Sequence, residues 1–206
     1  MPTVRAFLEA LERHEPGPSP AYSKAHALLA FMTIGSAGSI GRQALAKSSG
    51  LGEGSIRTVL KKFRQTKYVE ADASGCHLTA SGRRLYQSIT MKLTPVLTPN
   101  APAPVVGGSQ VAILVRSAAG SLGTGIDQRD SAVRVGATGA TTYVISSGKF
   151  AVPGGSPDCE KDFPGKIWSE LRAGLKPMDG DAIILCGAGD ERTAKLGALS
   201  AALTLL

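Results

Sequence analysis

The sequence predicts a two-domain α+β protein. Its N-terminal domain is mostly helical with one small pair of strands, and its C-terminal domain is an α/β, sandwich-like unit around a mixed sheet. Three observations predict this. Over residues 1–90 the apolar residues recur at three- and four-residue spacing, the period of a helix, interrupted by one pair of short extended segments. Residues 91–108 carry Pro95, Pro99, Pro102 and Pro104 and end on Gly107 and Gly108, the composition of a semi-rigid connector. Residues 109–206 alternate continuous apolar runs with glycine-rich loops, as buried strands of an α/β unit do. The expected boundaries are therefore 1–90, a linker at 91–108, and 109–206.

In the first block, Val4, Phe7, Leu8 and Leu11 share one face of a helix over 3–15. The segment EPGPSP at 15–20 ends it, because proline lacks an N–H and disfavours helix in the residue before it. A second helix is expected over 21–34, with Ala25, Leu28, Leu29 and Met32 as its stripe and Gly35, Gly38 and Gly41 beyond. A short helix at 41–48 and a longer one at 53–66 flank a tight turn at 49–52, where Gly50 and Gly52 can reach positive φ. Strands at 67–71 and 76–79 reverse at DASG, and a helix over 80–90 closes the block.

In the second block, VAILVRS (111–117) reads as a buried strand followed by the glycine-rich loop AAGSLGTGIDQRD. Residues 131–155 read as successive strands with SSGK as a hairpin turn. A helix is expected over 162–174 on Phe163, Ile167, Trp168 and Leu171, a buried strand at 181–186, and a last helix over about 192–205. Asp127, Arg129, Asp130 and Arg134 form a charged cluster beside the glycine loop. Arg134 lies in an apolar strand on this reading and requires either an ion pair with Asp127 or Asp130, or a ligand. After the strand at 181–186, Gly187 and Gly189 would let a ligand approach the backbone. The following helix N-terminus, with Arg192 and Lys195, would suit a small anion, unless Asp190 caps the helix itself.

The formal net charge is +7, and its distribution says more than its size. Residues 21–90 hold ten Lys/Arg against three acids, whereas residues 91–206 hold eleven against ten. Localised positive charge is either a solvated basic face or the footprint of a polyanion. No run approaches the roughly 18 apolar residues of a membrane span. The N-terminus reads as an amphipathic helix rather than a signal peptide, so no membrane partner and a cytoplasmic location are expected. Cys76, Cys159 and Cys186 are odd in number and widely spaced, which suggests neither disulfides nor a metal site. No nucleophile or metalloprotease motif is present, and His14, His26 and His77 all precede the connector. An enzyme is therefore not expected, and no cofactor is implied.

The spacing over 41–66 fits a helix-turn-helix. Ala44, Leu45 and Leu51 would point inward from the first helix and turn, and Ile56, Val59, Leu60 and Phe63 from the second. That leaves Glu53, Ser55, Arg57, Thr58, Lys61 and Lys62 outward. In such a motif the early residues of the second helix face base edges. Arg57 is the best base reader, Ser55 and Thr58 can bond bases or phosphates, and Lys61, Lys62, Arg64 and Lys67 suit phosphates.

LAKSSGLGEGSIRTVLKKFRQTKYV, followed by HLTASGRRLY, resembles the winged-helix part of many bacterial and archaeal regulators, with Leu78, Thr79, Gly82 and Leu85 matching their "LT..G..L". The resemblance covers about 21–90. The wing in this sequence is short, DASG, which argues against extensive wing readout and leaves Ser74, Gly75 and His77 to touch backbone or minor groove. The segments RDSAVRVGATGATTYV, GKFAVPGG and DGDAIILCGAGDERTAKLGALSAAL resemble the second domain of a small group of two-domain archaeal regulators, for which that domain has no established function. The reading is a transcriptional regulator that binds duplex DNA as a homodimer, with a small anionic effector in the second domain. The dimer face is expected on the helix at 3–15 or on 196–206. The alternatives are an enzyme acting on a phosphorylated metabolite with an accessory winged helix, and a protein-interaction adaptor.

Overall fold

Local chemistry fixes the start of the first long helix. The Ser23 hydroxyl accepts the backbone N–H of His26 while the His26 ring accepts the Ser23 N–H, a reciprocal cap that satisfies two otherwise orphaned donors. Burial lowers the His26 pKa, which keeps the ring in the neutral form that accepts. The computed structural model describes residues 4–12 and 22–206, and the chain divides into two compact units, Met1–Thr90 and Met91–Leu206.

In the first unit, α1 (Val4–Glu12) precedes α2 (Lys24–Ala37). The remainder of the helix expected over 3–15, and the breaker at 15–20, lie outside the described residues. The buried stripe of α2 is broader than its sequence period suggested. Ala25, Ala27, Leu28, Ala30, Phe31 and Ile34 are buried, and Leu29 and Met32 only half so. The reason is that α2 is packed from more than one side. Phe31 meets Phe7 of α1 at 4.9 Å and Phe63 at 5.5 Å between ring centroids.

Two shorter helices follow, α3 (Arg42–Ser49) and α4 (Glu53–Gln65). Gly50 ends α3 at φ +70°, with its N–H on the Ala46 carbonyl, which reverses the chain in few residues. Leu45, Leu51, Ile56, Val59, Leu60 and Phe63 are buried as their spacing requires. Ala44 is not: it is exposed and Ala46 takes the inward position. The strands are β1 (Ser39–Ile40), β2 (Val69–Asp72) and β3 (Gly75–Leu78), in the order β1-β3-β2 with antiparallel pairing. Helix α5 (Ala80–Lys92) closes the unit. Thr79 caps it by accepting the Gly82 N–H at 3.0 Å, and a Cβ on Gly82 would lie 2.0 Å from the Tyr68 carbonyl oxygen. The "LT..G..L" pattern thus has a physical basis: two core leucines, a cap, and a residue that must lack a side chain.

The second unit holds β4 (Ser109–Val115), α6 (Ile126–Val133), β5 (Gly139–Ser146), β6 (Lys149–Ala151), α7 (Cys159–Asp162), α8 (Ile167–Leu175), β7 (Ala182–Ala188) and α9 (Glu191–Ala202). The sheet runs β4-β7-β5-β6. The expected mixed sheet is corrected: every hydrogen-bonded pair is antiparallel, because β7 lies between β4 and β5, which point the same way. On one face Trp168, Leu171 and Leu175 of α8 pack with Tyr143, Phe150, Leu114, Ile183 and Leu185. On the other face α6 and α9 cover the strands.

Three further expectations are corrected. The proline-rich stretch is no connector: Leu97 exchanges backbone hydrogen bonds with Ala112 at 2.7 and 2.8 Å, and Leu93 bridges to Val115. Proline suits such an outer strap because it has no ladder N–H to leave unpaired. The strand expected from residue 131 is instead the end of α6, which starts after Gly125 at φ +87° and seats Gln128 and Ala132 against its own unit. Phe163, assigned to a buried stripe, is 57% exposed in the connector between α7 and α8, where its carbonyl accepts Trp168 Nε1–H at 2.7 Å.

Candidate nucleic-acid interface

Helix α4 turns its buried stripe of Ile56, Val59, Leu60 and Phe63 to the core, so helical geometry carries Arg57, Lys61 and Arg64 along one outer side. Opposite stands the hairpin of β2 and β3. Between them lies an open groove of about 790 Å³ lined by Arg42, Arg57, Leu60, Lys61, Arg64, Gln65, Val69, Ala71, Asp72, Gly75 and Cys76. Arg42 comes from the first turn of α3 and completes the cationic lining.

Burial raises the pKa of the Cys76 thiol, while Arg64 and Arg42 act in the opposite direction. Arg57 has a partner in Glu53, one turn earlier, at 3.7 Å. Both side chains are more than half exposed, so water weakens the pair and leaves Arg57 able to exchange Glu53 for a stronger anion.

The residues singled out from the sequence fall into two sets. Arg57, Lys61 and Arg64 reach the groove and are exposed; Glu53 is exposed beside them, and Ser55 is half-buried. The Thr58 hydroxyl is exposed but donates back to the Gly54 carbonyl at 3.2 Å. Lys62 is a correction: it is 8% exposed and its ammonium donates to the Leu11 carbonyl oxygen at 2.6 Å, so it joins α4 to α1 and does not face outward. Gly75 lines the groove at φ +120°, where a Cβ would come within 2.8 Å of the Ile40 backbone. Ser74 is held by Asp72, which accepts from both its backbone N–H and its hydroxyl. These bonds, more than the nearby His77, hold the Asp72 carboxyl below its usual pKa. His77 is half-buried between Glu70 and Asp72, at 3.5 and 3.8 Å.

Arg42 and Gln65 were missed. Gln65 continues the 57–61–64 stripe at helical spacing and was readable on that ground. Arg42 was not, since the fold alone brings the start of α3 to the groove.

In the second unit the candidate ligand residues fall on α6 and on the end of β7 with the start of α9. Asp190 caps α9: its carboxylate accepts the Thr193 N–H at 3.0 Å and the Thr193 hydroxyl at 2.6 Å, and these bonds lower its pKa. That places a negative charge where an anion would sit. Lys195 pairs with Glu191 at 2.7 Å, Arg192 is exposed, and Gly189 is open to solvent. Gly187 is buried under the chain before β4, and a Cβ there would lie 2.2 Å from the Val106 carbonyl oxygen. Arg134, assigned to a strand, is the exposed C-cap of α6. Asp127, Arg129 and Asp130 are exposed on that helix, with Arg129 and Asp130 4.0 Å apart. Cys159 is buried, and burial raises its pKa, with Asp162 and Asp158 adding to the effect. Among the described residues no cluster of His, Cys, Asp and Glu could hold a metal ion, and no helix is long and apolar enough to cross a membrane.

Residues 106–205 match a family described as a domain of unknown function (DUF4443). No curated protein matches the chain. Among solved structures, hypothetical protein PH0730 from Pyrococcus horikoshii OT3 is similar, with 22% sequence identity and a TM-score of 0.72 over 89% of this chain and 92% of that one. At this identity the likeness is one of fold.

Proposed function

We propose that this chain is a DNA-binding transcriptional regulator, in which the first unit is a winged helix that grips duplex DNA and two copies bind together. One observation carries the reading. Arg42, Arg57, Lys61 and Arg64 line a single groove between α4 and the hairpin, in the block that holds nearly all of the chain's excess positive charge. On this reading α4 enters the major groove by its first turns, where Arg57 can leave Glu53 and pair with a guanine edge. Lys61, Arg64 and Arg42 lie along phosphates and supply affinity without sequence information. The hairpin is short, and its Glu70 and Asp72 restrict it to a supporting role.

The second reading is an adaptor that docks an acidic protein segment, favoured by the apolar floor that Leu60, Val69 and Cys76 give the groove. Selection of bound fragments from random duplex DNA separates the two. An enriched motif that weakens in the R57A variant supports the regulator. Absence of any enriched motif, with retention unaltered in R57A, contradicts it.

A further inference from the structure

We infer that the N-terminus of α6 binds a small oxyanion, a phosphate or sulfate group, held by the backbone N–H groups of residues 123–128 and by the Thr142 hydroxyl of β5. The inference stands apart from the proposed function and is independent of whether DNA is bound.

The chain enters α6 through the glycine-rich segment GSLGTG, residues 120–125. Gly125 is the N-cap at φ +87°, a left-handed conformation that favours glycine, and it supplies no capping side chain. The first bond into the helix runs from the Arg129 N–H to the Gly125 carbonyl. From Gly123 to Gln128 no backbone N–H has a partner among the described residues. Successive N–H groups leading into a helix, with the positive end of its dipole behind them, form a donor set suited to an anion. The start of α9 lacks such a set, because the Asp190 carboxylate already occupies it.

A second observation points to the same ligand. Thr142 is 3% exposed, and its Oγ1 has no hydrogen-bond partner. Buried hydroxyls are nearly always bonded, since one left unpaired is costly. This one lies against the cap of α6. A Cβ on Gly125 would stand 3.6 Å from the Thr142 Cβ and 3.9 Å from its Oγ1. The hydroxyl is thus on the side from which a serine or aspartate cap would reach the first-turn N–H groups. The glycine segment covers it and must give way for an oxyanion to reach it. At Gly120 and Gly123 a Cβ would meet nothing within 4 Å, so no neighbouring atom wedges the segment there.

The donors select the class of ligand. Backbone N–H groups only donate and the hydroxyl is free to donate, so an acceptor-rich oxyanion fits and a cation does not. Asp127, in the first turn, opposes an anion and limits its affinity. It is exposed, so water screens the repulsion.

Titration of the full chain with inorganic phosphate, followed by residue-assigned amide NMR shifts at an ionic strength matched with sodium chloride, tests this. The amides of residues 123–128 are expected to shift together with one saturating affinity, whatever phosphate does at the cationic groove of the first unit. T142V keeps the shape and removes the hydroxyl. It is expected to weaken phosphate at these amides at least ~5-fold, as loss of a hydrogen bond to a charged acceptor does. It should melt no lower than the wild type, because the free chain loses no bond. D127N is expected to tighten phosphate about 2- to 5-fold. Amides at 123–128 that ignore phosphate, a T142V chain that binds like the wild type or melts below it, or a D127N chain that binds no tighter would each overturn the inference.

Discussion

The Lys62 ammonium donates to the carbonyl oxygen of Leu11 across 2.6 Å, and the side chain runs through the core of the first unit to do so. A lysine between two groove-facing positions therefore has an internal task. Substituting it leaves a buried carbonyl without this donor, which costs about 1–3 kcal/mol. K62M is expected to lower stability in chemical unfolding while retaining duplex affinity at temperatures where it is folded. Lys61, its exposed neighbour, is expected to behave in reverse. A K62M protein as stable as the wild type but weak on DNA would place Lys62 in the groove after all.

Gly187 is a packing position. The chain at Val105 and Val106 crosses it so closely that a Cβ would fall 2.2 Å from the Val106 oxygen, a backbone atom that cannot swing aside. G187A is expected to destabilise the second unit by roughly 1–3 kcal/mol, visible as a lower thermal midpoint. Wild-type stability in G187A would mean that the segment before β4 moves away readily.

The Asp190 cap makes stability depend on pH. Hydrogen bonds from Thr193 depress its pKa in the folded chain, so its contribution is full above the unfolded value of about 3.9. It is lost as pH falls through the lower, folded value. D190A is expected to melt about 4 °C below the wild type at neutral pH. The gap should close as acid protonates the wild-type carboxylate. A gap that persists unchanged below that window would show that the carboxylate charge is irrelevant to the cap.

The sequence made the α3–turn–α4 segment readable because its buried positions, from Leu45 to Phe63, are local and periodic, and because Gly50 must adopt positive φ to join them. The same local signal produced the Thr79 cap and the closely packed Gly82. What it could not supply was tertiary. Arg42 reaches the groove only because α3 packs beside α4, and Lys62 is drawn inward by a carbonyl 51 positions away. Helix α6 was read as loop up to residue 130 and as the start of a strand from residue 131, since SAVRVGA is a short apolar run with one charge and carries no helical period. The decisive contacts, Gln128 with Thr204 and Ser131 with Ser200, come from the far end of the chain. The two-residue strand β1 is too short to carry a period at all.

The claim on which the rest depends is that the groove beside α4 holds the charged backbone of a double helix. Its most direct measure is the salt dependence of duplex affinity for the wild type and for R57A/K61A/R64A. The wild type should lose affinity linearly on a log–log scale, and the triple variant should show a slope shallower by about 0.9 for each phosphate contact removed. Equal slopes, or wild-type affinity indifferent to salt, would contradict it.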